Sequence, residues 1–210
     1  DRAMAGGVNN SGLVQANSLV ERDGKIILEA GYVDNSGTLD VSSDTATGGK
    51  LVVTGDRVMI DAGSSLDATG ATGGGEIYVG GGWQGGDPDI YEATGVFVDA
   101  DAVLDASATD NGDGGTVVVW SDVTNDDSVT RVYGNIKATG GENGGDGGEV
   151  ETSGHWFDVG QAPDTSASAG DGGIWLIDPY NITVDDDGAD TNINGASPFE
   201  SSGNSATIDK

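Results

Sequence analysis

The one histidine of the chain, His155, sits in the stretch 149–156 beside Glu149, Glu151, Thr152, Ser153 and Trp156. A hydroxyl, an imidazole and a carboxylate within a few residues are the parts from which an activated nucleophile and its base are assembled. The rest of the sequence weighs against that chemistry, because there is no second histidine and no partner at a defined spacing to orient the ring. A structural role fits better. His155 follows an alternating strand segment and Gly154, at a corner where Trp156 shields a turn. No catalytic residue is expected.

Three further groups could do chemistry. Asp40, Asp67 and Asp105 recur at the same place in successive similar segments, with Asp61 and Asp99 nearby. Carboxylates stacked about 4.8 Å apart repel by about 0.9 kcal/mol in water. Solvation with the side chains splayed apart is the main reading; weakly bound calcium is the alternative. A second acidic group, Asp185, Asp186, Asp187 and Asp190, lies in a polar loop. It lacks the ligand spacing of an EF-hand and reads as a connector. Finally, Trp83, Tyr91, Trp120 and Tyr78 lie on or beside two insertions. Such rings could stack on sugars or another partner, or the insertions could fold back over the apolar stripe Ile27, Val52, Tyr78 and Val118.

What must position these groups is a repeat. Six segments open with glycine and continue as a short alternating strand, starting at Gly24, Gly49, Gly75, Gly115, Gly148 and Gly173. The steps are 25 or 26 residues except where insertions at 82–94 and 121–131 lengthen them. A second set runs in phase, with Val14, Leu39, Leu66, Leu104 and Ile136 pointing inward and small partners Ala16, Val41, Ala68, Ala106 and Ala138 following. Alternation places Ile26, Leu51, Ile77, Val117, Val150 and Trp175 inside. About three short strands per period, separated by Gly, Asn, Asp and Ser turns, predict an all-β parallel β-helix. At about 25 residues per rung, roughly six to seven rungs fit the chain. Glycine pairs at the corners are expected to supply positive φ. Residues 1–7 read as a disordered start, 8–184 as the shaft and 185–210 as a polar connector toward further rungs.

Composition agrees. The 210 residues include 38 glycines and 4 prolines, which fits neither collagen nor a proline-rich linker. With 36 acidic and 8 basic residues the formal charge is -28, which repels phosphate backbones and anionic lipid, so neither nucleic acid nor membrane insertion is expected. Cysteine is absent, so no disulfide reports the redox compartment. No apolar run approaches the ~18 residues of a transmembrane helix.

The runs from Gly147 to His155 and from Trp175 to Val184 together resemble the large secreted adhesins of the filamentous-haemagglutinin and high-molecular-weight type, exported by two-partner secretion. The segments SGLVQAN and GDGGTVVVWSD are similar to them as well, so the likeness covers roughly residues 8–184. The resemblance implies a right-handed parallel β-helix, an outer-membrane transporter as partner, a secreted or cell-surface location and a non-enzymatic structural or adhesive role toward a glycan or protein receptor. The Asn-Pro motifs of the secretion domain are not found, which places the segment in the shaft just beyond it. A contact-dependent toxin or haem-acquisition exoprotein would use this region as shaft too. The reading from a different class is a polysaccharide-binding or polysaccharide-cleaving β-helix, a lyase or glycoside hydrolase.

Overall fold

The computed structural model describes residues 6–16, 24–178, 182–184 and 206–208. The chain is all-β: seventeen strands and one short 3-10 turn, Trp83–Gly85, make up its regular structure among the described residues. The pairings between these strands are parallel, and fifteen of the strands fall into three ladders. The first stacks Lys25–Asn35, Lys50–Ile60, Glu76–Val79, Thr116–Trp120, Glu149–Ser153 and Ile174–Leu176. Beyond a bend, the two long strands also enter the second ladder, where they stack with Gly7–Asn10, Gly95–Val98, Val129–Val132 and Trp156–Val159. The third holds Leu13–Gln15, Thr38–Asp40, Ser65–Asp67, Val103–Asp105 and Asn135–Lys137. Curled parallel sheets stacked in this way are consistent with a parallel β-helix.

Register follows the sequence repeat. Ile26 pairs with Leu51, Leu51 with Ile77, Ile77 with Val117, Val117 with Val150 and Val150 with Trp175. These side chains, with Leu39, Leu66 and Leu104 from the third ladder and Val58, Val96 and Val132 from the second, form one continuous core. Ala68, Ala106 and Ala138 are fully buried beside it. Val14 departs from expectation: it pairs with Leu39 but is 36 % exposed. It stands in the first strand of its ladder, with a described neighbour on one side only.

The corner glycines act differently from the sequence expectation. Among the described residues, Gly49, Gly75, Gly115, Gly148 and Gly173 do not adopt positive φ. What they need is space. A Cβ on Gly75 would lie 2.1 Å from the Gly49 carbonyl oxygen, one on Gly115 1.9 Å from that of Gly75, and one on Gly148 2.1 Å from that of Gly115. Their amides are used as well: Gly75 donates to Ala68 O at 2.8 Å and Gly115 to Ala106 O at 2.7 Å. Each corner thus closes by backbone packed directly on backbone. Positive φ occurs elsewhere, as at Gly112 and Gly145 in the GDGG turns.

The second insertion is shorter than its sequence limits, since Val129–Val132 is a strand of the second ladder and the added loop spans 121–128. Within the stretch read as a polar connector, Ala206–Ile208 forms a strand parallel to Ile182–Val184. The acidic loop containing Asp185, Asp186, Asp187 and Asp190 lies outside the described residues, as do residues 1–5 of the start.

Candidate functional site

His155 and the hydroxyls beside it are directed at different partners. The His155 ring places Nδ1 3.1 Å from Val123 O and 3.8 Å from the Asp126 carboxylate, both on the second insertion. Trp156 donates from Nε1 to Asp126 O at 2.9 Å. Ser153 Oγ instead donates to Glu151 at 3.2 Å and accepts the Asp178 amide at 3.0 Å. The pair His155–Trp156 therefore fastens the 121–128 loop to the sheet.

The first insertion folds over the outward side of the first ladder. Val118 and Trp120 are buried under it, and Val52 is covered while Ile27, one rung earlier, is 51 % exposed. Its glycines let it lie flush, since a Cβ on Gly81 would meet the Trp120 ring at 2.3 Å. At its base Thr54 donates to Tyr91 O, Tyr91 donates from its hydroxyl to Asp56, and Thr94 donates to Asp56 O at 2.8 Å. The bond to Asp56, with burial, pushes the Tyr91 phenol up to about 12. Tyr78 is half-buried, with Lys50 Nζ 4.3 Å from its ring centre; burial and Glu76 raise its pKa. Trp83 is also half-buried. These four rings are therefore parts of a cover and its seat rather than an open platform. Among the described residues, the aromatic side chains exposed to solvent are Tyr32 and Trp156.

Glu151, which the sequence places beside His155, has a setting that the sequence did not show. It continues the outward column Val52, Tyr78, Val118, yet it is fully buried beneath the first insertion. Its Oε2 accepts the Gln84 amide at 2.7 Å, and Gln84 has a φ of 50°, the left-handed conformation that non-glycine residues rarely adopt. Burial raises the Glu151 carboxyl to about 7, against the opposing pull of the Gln84 amide and Ser153 hydroxyl. Trp120 Nε1, nearby, makes no hydrogen bond of ordinary geometry. It still offsets part of the rise that burial and Asp122 impose on Glu92.

The acidic column is in register: Asp40 pairs with Asp67 and Asp67 with Asp105, bracketed by Gln15 and Lys137. Each carboxylate closes a turn. Asp40 Oδ1 accepts the Ser42 amide at 2.9 Å and its hydroxyl at 2.7 Å; Asp67 does the same with Thr69 at 2.9 and 2.7 Å; Asp105 accepts the Ser107 amide at 3.0 Å. The aspartate-x-Ser/Thr spacing carried this signal, since such side chains mimic a backbone turn. Asp61 and Asp99 belong to a neighbouring corner, where burial, a hydrogen bond with Asp34 and the charges of Asp34 and Asp99 raise the Asp61 pKa. Among the described residues no three His, Cys, Asp or Glu side chains are gathered so as to hold a metal ion. The GDGG turns stack too: Asp113 accepts the Asp146 amide and Asp146 that of Asp171, both at 2.8 Å. Replacing Asp67 by alanine should cost about 1 kcal/mol for the lost turn bonds, read as a lower urea midpoint with an unchanged slope.

No protein-family model matches the chain, and no curated protein sequence matches it. Among solved structures it is similar to the crystal structure of the HMW1 secretion domain from Haemophilus influenzae, with a TM-score of 0.64 and 30% sequence identity. The match covers 84% of this chain and 47% of that one, so the chain spans about half the length of that domain. No helix among the described residues is long and apolar enough to cross a membrane.

Proposed function

We propose that the chain is a structural and adhesive shaft segment of a large secreted bacterial surface exoprotein, non-enzymatic, and exported through an outer-membrane transporter of the two-partner type. The reading includes a right-handed parallel β-helix of roughly six to seven turns. The observation that carries it is the unbroken ladder from Lys25 to Ile174, in which each strand is the template for the next. A stack of this kind lengthens with every turn added and projects what it carries away from its anchor. The likeness to the HMW1 secretion domain supports export.

The purified chain should scatter X-rays as an elongated rod and return a panel of oligosaccharides intact after incubation. A compact, near-spherical particle would overturn the shaft, and shortened oligosaccharides would overturn the non-enzymatic reading.

A further inference from the structure

The outward face of the second ladder differs from the rest of the surface. Register aligns Tyr32, Arg57, Gly95, Val129 and Trp156 in one column, and Asp34, Met59, Phe97, Arg131 and Asp158 in the next. With Asn125 and Asp127 of the second insertion as a wall, this face holds a groove of about 770 Å³ between Tyr32 and Val129. That volume is in the range of small-ligand sites.

Charge marks the groove out. The chain has 8 basic residues against 36 acidic ones, yet the lining holds two arginines and one carboxylate, Asp127. Among the described residues neither Arg57 nor Arg131 has an ion-pair or hydrogen-bond partner for its guanidinium. Bidentate carboxylate recognition is what such a guanidinium does best. The two lie two strand spacings apart, about 10 Å along the ladder, which suits a ligand with repeated carboxylates better than a single anion.

The floor is also open without a folding reason. Gly95 has no positive φ, and a Cβ there would meet only Arg57 Cγ, at the ordinary contact distance of 3.7 Å. Unlike the corner glycines, it is not required by packing. Around this gap the aromatic groups are held: Phe97 meets Tyr133 edge-on at 5.9 Å, and Trp156, just beyond Val129, is fixed by its bond to Asp126 O. Tyr32, at the other end, is 44 % exposed. Backbone groups of the floor are already paired along the ladder, so a peptide would find no strand edge to extend, whereas a sugar ring needs only side-chain faces.

We propose that this groove binds a polyuronate strand, with Arg57 and Arg131 taking carboxylates of the chain and Tyr32 and Phe97 meeting its pyranose faces over Gly95. The site deepens the adhesive reading above, but its test is separate, because it measures binding alone and neither shape nor cleavage.

The experiment is calorimetric titration of the chain at low salt with tetragalacturonate, its fully methyl-esterified form and tetraglutamate. Saturable binding of tetragalacturonate is expected, at least tenfold weaker for the ester and for the R57Q/R131Q double variant. Gly95→Val should abolish it with the melting temperature kept, since a β-branched residue suits the strand. The proposal is overturned by absence of saturable binding, by undiminished binding in Gly95→Val, by equal binding of the ester, or by tetraglutamate binding as tightly, which would make the groove an acidic-peptide surface.

Discussion

Gly115→Ala is expected to lower stability by at least about 4 kcal/mol, the upper end of single-residue effects. The added Cβ would lie 1.9 Å from Gly75 O and 2.7 Å from Gly74 C, with backbone as the obstacle in both cases. No side chain can swing aside to make room. Either the Thr116–Trp120 strand moves off Glu76–Val79 and breaks its register with both neighbours, or the corner bond from Gly115 to Ala106 O opens. At about 2–4 °C per kcal/mol for a chain of this size, the melting temperature should drop by roughly 8–16 °C. Gly95→Ala is the control, because its Cβ meets no backbone; it should be neutral or slightly stabilising through the unfolded state. A Gly115→Ala chain melting within a degree or two of the parent would disprove the close stacking of the corners.

The second large effect concerns Glu151. Its carboxyl is raised from 4.5 to about 7 in the folded chain, chiefly by burial, so the folded state binds a proton that the unfolded state releases between these values. Stability from this group is fully present below about pH 4.5 and is lost as pH rises through about 7. A shift of this size corresponds to about 3 kcal/mol. The amide of Glu151→Gln keeps an oxygen for the Gln84 amide and carries no charge into the apolar cover. The variant should therefore be more stable than the parent at pH 8 and nearly equal to it at pH 4.5, by urea unfolding at both values. Taking the difference between the two proteins cancels the background from the other acidic residues. Equal stability at pH 8 would mean that water reaches Glu151 beneath the cover.

Much of the scaffold was legible because two periodicities coincide. Alternation within each segment named the inward residues, and the repeat named which of them stack, so Leu51, Ile77 and Val117 line up from the sequence alone. The purpose of the corner glycines was not legible. Positive φ and a close backbone approach leave the same residue in the sequence, and only the 2 Å-scale clash with the preceding corner separates them. The acidic column was visible, but its work in closing turns lies in the Ser or Thr two residues on, as at Asp67 and Thr69. Glu151 looked like any outward glutamate, because its burial depends on a loop more than sixty residues earlier in the chain. The exposure of Tyr32 and Trp156 was hidden for a related reason. Both sit within ladder strands, whereas the aromatics on the insertions, which look exposed in the sequence, serve as the cover.

The ladder keeps its register whether the step from one strand to the next is 25 residues, as from Lys25 to Lys50, or 40, as from Glu76 to Thr116. Extra residues leave sideways at a corner and add nothing to the height of the stack. Residue number is thus a poor ruler for this molecule, and its corners can acquire or shed decoration while the distance it spans is held constant.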